Sequence, residues 1–248
     1  AKFSEQLNIY ENPEELISMS LGSAETTLLK LTSAYCSFVN GGKLIQPILV
    51  DRIQDSEGFT IYNSEKRECK NCKDISYLSK NLPRIEDDFP RVFSEQTAYQ
   101  ITSILEGVIK RGTGKKLKDL NLDIAGKTGT TNENTDAWFI GYTSNLVIGV
   151  YVGFDEPKTL GKYETGSKTA LPIFKSFIKN AVKKENVRPF KVAKNVEMMV
   201  IDGKTGKKAD FGSGEIIIES FKKNTIEKNI LNGNDNLITT KNNILKFY

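Results

Sequence analysis

Histidine is absent from this sequence of 248 residues, and its absence excludes several kinds of active site. Without imidazole there is no Ser–His–Asp or Cys–His catalysis, no histidine-ligated zinc and no imidazole proton shuttle. Any acid–base chemistry must therefore use lysine, aspartate, glutamate, tyrosine or cysteine side chains.

Long apolar runs and strong charge bias are also missing. No window approaches the roughly 20 apolar residues of a membrane span, and the N-terminus does not resemble a signal peptide. The 35 Lys and Arg residues barely exceed the 31 Asp and Glu residues, and they are scattered, which argues against a nucleic-acid-binding protein. The sequence begins at Ala1 without an initiator methionine, so we expect a part or a processed product of a longer protein.

Three segments have apolar residues at helical spacing, with a capping residue or a proline near the start. The first is expected to be capped by Thr26 and the second by Ser94, and the third spans 170–182. The apolar stripes expected to face the core are Leu28, Leu31, Tyr35 and Phe38; Ala98, Ile101, Leu105 and Val108; and Phe174, Phe177 and Ala181.

Between and after these helices, β-branched and aromatic residues predict strands. Segments 48–54 and 59–62 predict a hairpin, and segments 124–130 and 137–154 predict two strands joined by a polar turn. A further hairpin begins with 196–201 and turns at Asp202-Gly203, and 216–218 could add a strand. Strands with hairpin connections and flanking helices predict an α+β fold with an antiparallel sheet.

The chain is expected to have three parts. Residues 1–182 form the main unit, with a polar insert near 64–92. Residues 183–221 form an extension with a hairpin, and the Asn- and Lys-rich residues 222–248 form a tail that we expect to be mobile.

The most informative local motif is the run from Ala125 to Thr131 around Lys127-Thr128-Gly129. A phosphate-binding loop requires a glycine where Asn121 stands, followed by a helix after the lysine. The residues after Lys127 are β-branched or glycine and form helices poorly, so we reject phosphate binding.

The remaining interpretation is the Lys-Thr-Gly strand of penicillin-reactive serine acyltransferases. In that chemistry the lysine and the neighbouring hydroxyl bind a substrate carboxylate, and the glycine admits the substrate backbone. The next residue offers its N–H to the developing oxyanion. Lys127, Thr128, Gly129 and Thr130 fill these positions as candidate catalytic residues, and Lys127, Thr128 and Thr130 as candidate substrate-binding residues. A second copy, Lys204-Thr205-Gly206, has turn composition between two strands and is predicted to be structural.

Further motifs occur in a fixed order around this strand. They are 21–28, 34–42, Arg67-Glu68-Cys69-Lys70-Asn71-Cys72, Arg111-Gly112-Thr113-Gly114, the Lys127 motif with Asp136-Ala137-Trp138, and 151–155. Together they resemble class A, bifunctional penicillin-binding proteins of the Gram-negative type, over roughly residues 14 to 182.

The resemblance implies the C-terminal part of a serine transpeptidase domain with a penicillin-binding or β-lactamase-like fold. Such an enzyme polymerises glycan strands, cross-links peptidoglycan stem peptides ending in D-alanyl-D-alanine, and is acylated by β-lactams. The family is periplasmic and tethered to the inner membrane. It implies no cofactor and no metal. The nucleophile of an S-x-x-K motif, and an S-x-N motif, are expected in the N-terminal part of the same protein, before Ala1.

Three shorter matches to those motifs are interpreted as chance. Ser176-Phe177-Ile178-Lys179 and Ser220-Phe221-Lys222-Lys223 follow Lys127, the wrong order, and Ser79-Lys80-Asn81 lies in the polar insert. We therefore expect this chain alone to be inactive. The alternative is a non-enzymatic module from a split gene that binds peptidoglycan peptide or a protein partner with the same strand.

Cys69 and Cys72 are separated by two residues, and Cys36 is the only other cysteine. Zinc requires four ligands, and three cysteines without histidine cannot supply them. Redox catalysis would require a βαβ setting that the sequence does not predict. A local disulfide in the oxidising periplasm or two idle thiols remain as interpretations.

Overall fold

The computed structural model describes residues 1–65, 67, 69–70, 72, 84–85 and 89–223. Ser79-Lys80-Asn81 and residues 224–248 of the predicted tail 222–248 lie outside the described residues, whereas Lys222 is the last residue of a strand. In chain order the helices and strands are α1 Lys2–Gln6, α2 Leu28–Val39, β1 Arg52–Gln54, β2 Thr60–Asn63, β3 Cys69–Lys70, β4 Arg84–Ile85, α3 Glu95–Lys110, β5 Ala125–Thr130, β6 Ala137–Tyr142, β7 Val147–Val152, α4 Ala170–Ala181, β8 Val196–Asp202 and β9 Ile216–Lys222. Short 3₁₀ helices lie at Ile17–Leu21, Lys115–Leu120, Asn132–Asn134 and Lys184–Asn186.

The central element is a three-stranded antiparallel sheet in the order β5-β6-β7. The prediction of one long strand over 137–154 was wrong, because this segment forms both β6 and β7. A tight turn separates them, in which the N–H of Thr143 donates to the carbonyl of Leu146 at 2.9 Å. Asn145 supports the turn by accepting a 2.9 Å hydrogen bond from the Thr143 hydroxyl. Polar turn residues therefore end β6 despite the strand-forming residues on either side.

One face of the sheet packs on α4. The shared core contains Ala137 and Phe139 of β6 together with Leu171, Phe174 and Ile178 of α4. The predicted α4 stripe was therefore only partly correct, because Phe177 is 52% exposed and Ala181 is also exposed. Leu171, Phe174 and Ile178 follow the i, i+3, i+7 spacing of one helical face, which turns Phe177 outward.

The opposite face packs on α2 and α3. Its core joins Ala125 and Tyr142 of the sheet to Leu105 and Val108 of α3, with Tyr35 and Phe38 of α2 packed against them. The buried Tyr142 hydroxyl lies 3.1 Å from the Thr102 hydroxyl, and burial raises the pKa of Tyr142.

The predicted cap of α3 is confirmed, because the Ser94 side chain accepts a 3.2 Å hydrogen bond from the N–H of Thr97. The predicted cap of α2 was wrong by one residue. Thr27 caps this helix by accepting from the N–H of Lys30 at 3.2 Å. The Thr26 hydroxyl instead donates to the carbonyl of Ile9 at 3.0 Å, a contact with an earlier part of the chain.

The remaining strands form three antiparallel pairs. β1 pairs with β2, as predicted, although β1 starts at Arg52 rather than at residue 48. β3 pairs with β4, and Cys69 and Cys72 form a disulfide beside them. The chain turns after β8 at Asp202-Gly203, as predicted, but the strand that pairs with β8 is β9, which contains the separately predicted strand 216–218 and extends to Lys222.

The β8–β9 hairpin contacts α3 through polar groups. The side-chain amides of Gln96 and Gln100 donate to the carbonyls of Lys194 and Ser220 at 3.0 and 3.1 Å. Arg111 forms an ion pair with Glu219. The predicted α+β fold with an antiparallel sheet is confirmed. No helix in the described ranges has the length and apolarity needed to span a membrane.

Candidate functional site

Lys127 lies on β5, at the edge of the central sheet. In the part of the chain that the structure describes, β5 pairs with β6 on one side only, so its other edge offers backbone N–H and C=O groups to a ligand. The register pairs Ala125 with Tyr142 and Lys127 with Ile140. Alternate residues of a strand share one face, so the Lys127 side chain lies on the same face of the sheet as Ala125, the face that packs on α2 and α3. It is exposed, and its ammonium donates to the carbonyl of Thr128 at 2.9 Å. Among the described residues it forms no ion pair, which leaves its charge available to an anionic ligand.

Thr128 is held by a residue that the sequence analysis did not single out as functional. The hydroxyls of Thr113 and Thr128 lie 3.0 Å apart. Thr113 belongs to the loop that follows α3, where the N–H groups of Gly112 and Gly114 fold back onto the carbonyl of Val108 at 3.1 and 3.0 Å. The Arg111–Gly114 motif therefore places a hydroxyl beside the candidate strand, and its position in the resemblance was the signal that could have revealed this role.

A second missed residue, Gly166, packs against the strand from the α4 side. Its N–H donates to the Thr130 hydroxyl at 3.0 Å. A Cβ at this position would lie 2.5 Å from the Gly129 carbonyl oxygen and closer still to that of Trp138. Only glycine allows the loop before α4 to come this close to the strand. This hydrogen bond fixes the side chain of Thr130 and does not involve the backbone N–H of Thr130.

The other motifs lie elsewhere. Lys204-Thr205-Gly206 forms a turn, as predicted, in which the Asp202 carboxylate accepts from the N–H groups of Lys204 and Thr205 at 2.9 and 2.8 Å. These hydrogen bonds lower the pKa of Asp202, and the bond from the N–H of Thr205 has the largest effect. Ser176 is exposed on α4, across the sheet from Lys127, and Ser220 is buried on β9. Ser79-Lys80-Asn81 lies outside the described residues.

Acidic residues and cysteines do not form a metal centre in the described ranges, where no group of three or more could hold an ion. On β5, an exposed lysine lies next to a threonine hydroxyl, on a strand whose outer edge has no strand partner among the described residues.

A model of the penicillin-binding protein transpeptidase domain matches residues 3–179. The chain belongs to this transpeptidase family. Penicillin-binding protein 1A of Rickettsia felis is 42% identical over 244 residues, a match that covers 96% of this chain and 30% of that protein. The chain thus spans about a third of the length of such relatives.

Solved structures of the family have the same fold. The structure of penicillin-binding protein 1A from Haemophilus influenzae superposes with a TM-score of 0.74 at 30% identity, covering 90% of this chain and 36% of that one. A penicillin-binding protein from Mycobacterium tuberculosis, solved in complex with penicillin V, has a TM-score of 0.57 at 22% identity and covers 76% of this chain and 50% of that one. The second likeness supports the fold alone.

Proposed function

We propose that this chain forms one wall of the active site of a serine D,D-transpeptidase, which cross-links peptidoglycan stem peptides ending in D-alanyl-D-alanine. The observation that carries the proposal is the exposed Lys127 ammonium on the edge strand, next to the Thr128 hydroxyl and without an ion pair in the described part of the chain. Membership in the transpeptidase family supports the reaction class.

Each residue of the strand has a proposed role. Lys127 binds the terminal carboxylate of the peptide by charge, and the Thr128 hydroxyl donates a hydrogen bond to it. Gly129 lets the peptide backbone approach the strand. The Thr130 N–H stabilises the oxyanion that forms when a serine hydroxyl attacks the penultimate carbonyl.

The serine is supplied by a part of the protein outside these residues. Attack forms a serine ester and releases D-alanine, whose nitrogen takes up a proton. An acceptor amine then attacks the ester, forms the cross-link and frees the serine.

The whole protein is proposed to be a periplasmic enzyme tethered to the inner membrane, with peptidoglycan glycosyltransferase activity and D-alanyl-D-alanine carboxypeptidase activity. Its further proposed ligands are β-lactams, because the terminal carboxylate of these drugs presents the same charge to Lys127. Membership in the penicillin-binding protein transpeptidase family supports this class of ligand.

The test compares two lysines in the intact protein that contains this chain. Removal of a charge-assisted hydrogen bond costs roughly 1.5–3 kcal/mol, so Lys127→Ala is expected to lower the second-order rate of acylation by fluorescent penicillin about ten- to a hundredfold. Lys204→Ala is the matched control, because it removes a lysine from the other Lys-Thr-Gly and leaves the Asp202 bonds to the backbone in place. The proposal is contradicted if Lys204→Ala strongly lowers the acylation rate while Lys127→Ala is acylated as fast as the parent protein.

The 248-residue chain by itself is proposed to bind carboxylate-ended peptide without forming an acyl-enzyme, because positioning groups without a nucleophile form no covalent bond. Incubation with fluorescent penicillin and denaturing electrophoresis tests this. A labelled band from the chain alone contradicts it and directs attention to Ser79, Ser176 and Ser220.

A further inference from the structure

Arg111, the C-cap residue of α3, forms an ion pair with Glu219 on β9. Both side chains are partly buried, with exposures of 36% for Arg111 and 17% for Glu219. The pair joins residues 108 positions apart in the sequence, and it links the predicted C-terminal extension, residues 183–221, to the loop after α3. A partly buried pair is screened less by solvent and salt than an exposed one, so it can fix the groups that carry it.

The guanidinium of Arg111 lies over Gly107, near the C-terminal end of α3. A Cβ on Gly107 would lie 2.9 Å from Nη2 and 3.1 Å from Cζ of Arg111. Glycine weakens a helix interior relative to alanine, so this glycine is explained by the space that the guanidinium occupies. The missing side chain lets Arg111 fold back along the helix and reach Glu219.

Glu219 lies on a strand that α3 holds in place. The side-chain amide of Gln100 donates to the carbonyl of Ser220, the next residue of β9, at 3.1 Å. Gln100, Gly107 and Arg111 recur at helical spacing, so they lie on one side of α3. An isolated pair of strands is marginally stable in water, so this hydrogen bond and the ion pair determine where β9 lies on the helix.

The loop that begins at Arg111 turns tightly toward β5. Added Cβ atoms on Gly112 and Gly114 would lie 2.9 and 2.5 Å from atoms of α3, so the loop packs on the helix without spare room. Thr113 lies between these glycines, and its hydroxyl is 3.0 Å from that of Thr128. A displacement of Arg111 therefore moves Thr113 relative to the candidate strand.

We propose that Glu219 and Arg111 are positioning residues of the active site, an inference that rests on the proposed function. Their ion pair holds the end of α3. Through the loop it keeps the Thr113 hydroxyl where it orients Thr128 toward the substrate carboxylate. Neither residue of the pair contacts the substrate, and the C-terminal extension is required for full activity because it supplies Glu219.

The test measures the second-order rate of acylation by fluorescent penicillin in the intact protein that contains this chain. Glu219→Gln keeps the size of the side chain and removes its charge. We expect the rate to fall about three- to tenfold, no more than the loss of one hydrogen bond at Thr128 would cause. Glu95→Gln is the matched control, because it removes the acid of another Arg–Glu ion pair of α3, with Arg91 at 3.1 Å, and should leave the rate unchanged.

Thr113→Val separates a positioning role from a purely structural one. In this background Glu219→Gln should have no further effect on the rate, because the connection to Thr128 is already broken, whereas independent structural effects would add. Gly107→Ala is a second way to break the pair, since the new Cβ displaces the Arg111 guanidinium. Its rate should fall in the same range, again without further effect in the Thr113→Val background. Circular dichroism melting curves identify any variant that fails to fold.

The outcomes separate the inference from the proposed function. If Lys127→Ala lowers the acylation rate but Glu219→Gln and Gly107→Ala react like the parent, the ion pair has no such role and the proposed function stands. The same conclusion follows if the losses caused by Glu219→Gln and Thr113→Val add. If acylation does not depend on Lys127, both proposals are overturned.

Discussion

The hydroxyl oxygens of Thr113 and Thr128 lie 3.0 Å apart and join the loop after α3 to the edge strand β5. A hydroxyl group has one donor and two acceptor sites. Thr113 can therefore donate to Thr128 while Thr128 donates to the carboxylate of the proposed substrate. We infer that Thr113 is a positioning residue, which orients the Thr128 hydroxyl without contacting the substrate.

Thr113→Val keeps the shape of the side chain and deletes the hydroxyl. We expect the acylation rate of the intact protein to fall about three- to tenfold, the value of one neutral hydrogen bond. Thr113→Ser should restore most of the rate, which a purely steric role would not explain. Thr205→Val, in the turn with the second Lys-Thr-Gly, is the control and should leave the rate unchanged. Equal rates for Thr113→Val and the parent protein would contradict the positioning role.

Local patterns in the sequence predicted the elements that carry the site. The Ser94 cap, the α3 stripe and the strand at Lys127 all depend on residues that are neighbours along the chain. Thr113 and Gly166 could not be found in this way, because their contacts to Thr128 and Thr130 join residues 15 and 36 positions apart. The division of 137–154 into two strands was missed because the turn-forming Ser144 and Asn145 are surrounded by strand-forming residues.

Gly166→Ala tests whether close backbone packing holds the candidate strand in place. The new Cβ would lie 2.5 Å from the Gly129 carbonyl oxygen, so the loop or the strand must move. Overpacking of this kind costs typically 1–3 kcal/mol, and we expect a loss of unfolding free energy in that range. Urea denaturation measures it. Gly214→Ala is the matched control, because nothing lies within 4 Å of its added Cβ, and it should be nearly neutral.

The three cysteines are expected to differ in reactivity. Cys69 and Cys72 form a disulfide, whereas Cys36 is a free thiol in α2. Burial raises the pKa of Cys36, so little thiolate exists at neutral pH and alkylation should be slow. Mass spectrometry after iodoacetamide treatment should find one modified cysteine in the native, oxidised chain, and three after unfolding in reductant. Two or three rapidly modified cysteines without reductant would contradict this assignment.

Glu106 provides a prediction about pH. Its side chain on α3 is only 15% exposed, and burial raises its pKa despite the ion pair with Lys110 at 3.2 Å. The folded state therefore binds the proton of Glu106 more tightly than the unfolded state does. Stability consequently falls as the pH rises from the ordinary value of 4.5 through the raised folded value, and the penalty is complete above both.

Glu106→Gln removes this penalty, so at pH 7 we expect the free energy of unfolding to increase. The advantage should disappear below the ordinary pKa, where Glu106 is protonated in both states.

Glu164→Gln is the control of opposite sign, because hydrogen bonds from Lys168 and Thr169 lower the pKa of Glu164. Its carboxylate stabilises the fold above the ordinary pKa, and that contribution is lost as the pH falls, so Glu164→Gln should destabilise the chain at pH 7 and lose its effect in acid. The midpoints of urea denaturation from pH 3 to pH 7 test both variants. If Glu106→Gln is less stable than the parent at pH 7, the ion pair with Lys110 outweighs the cost of burying Glu106.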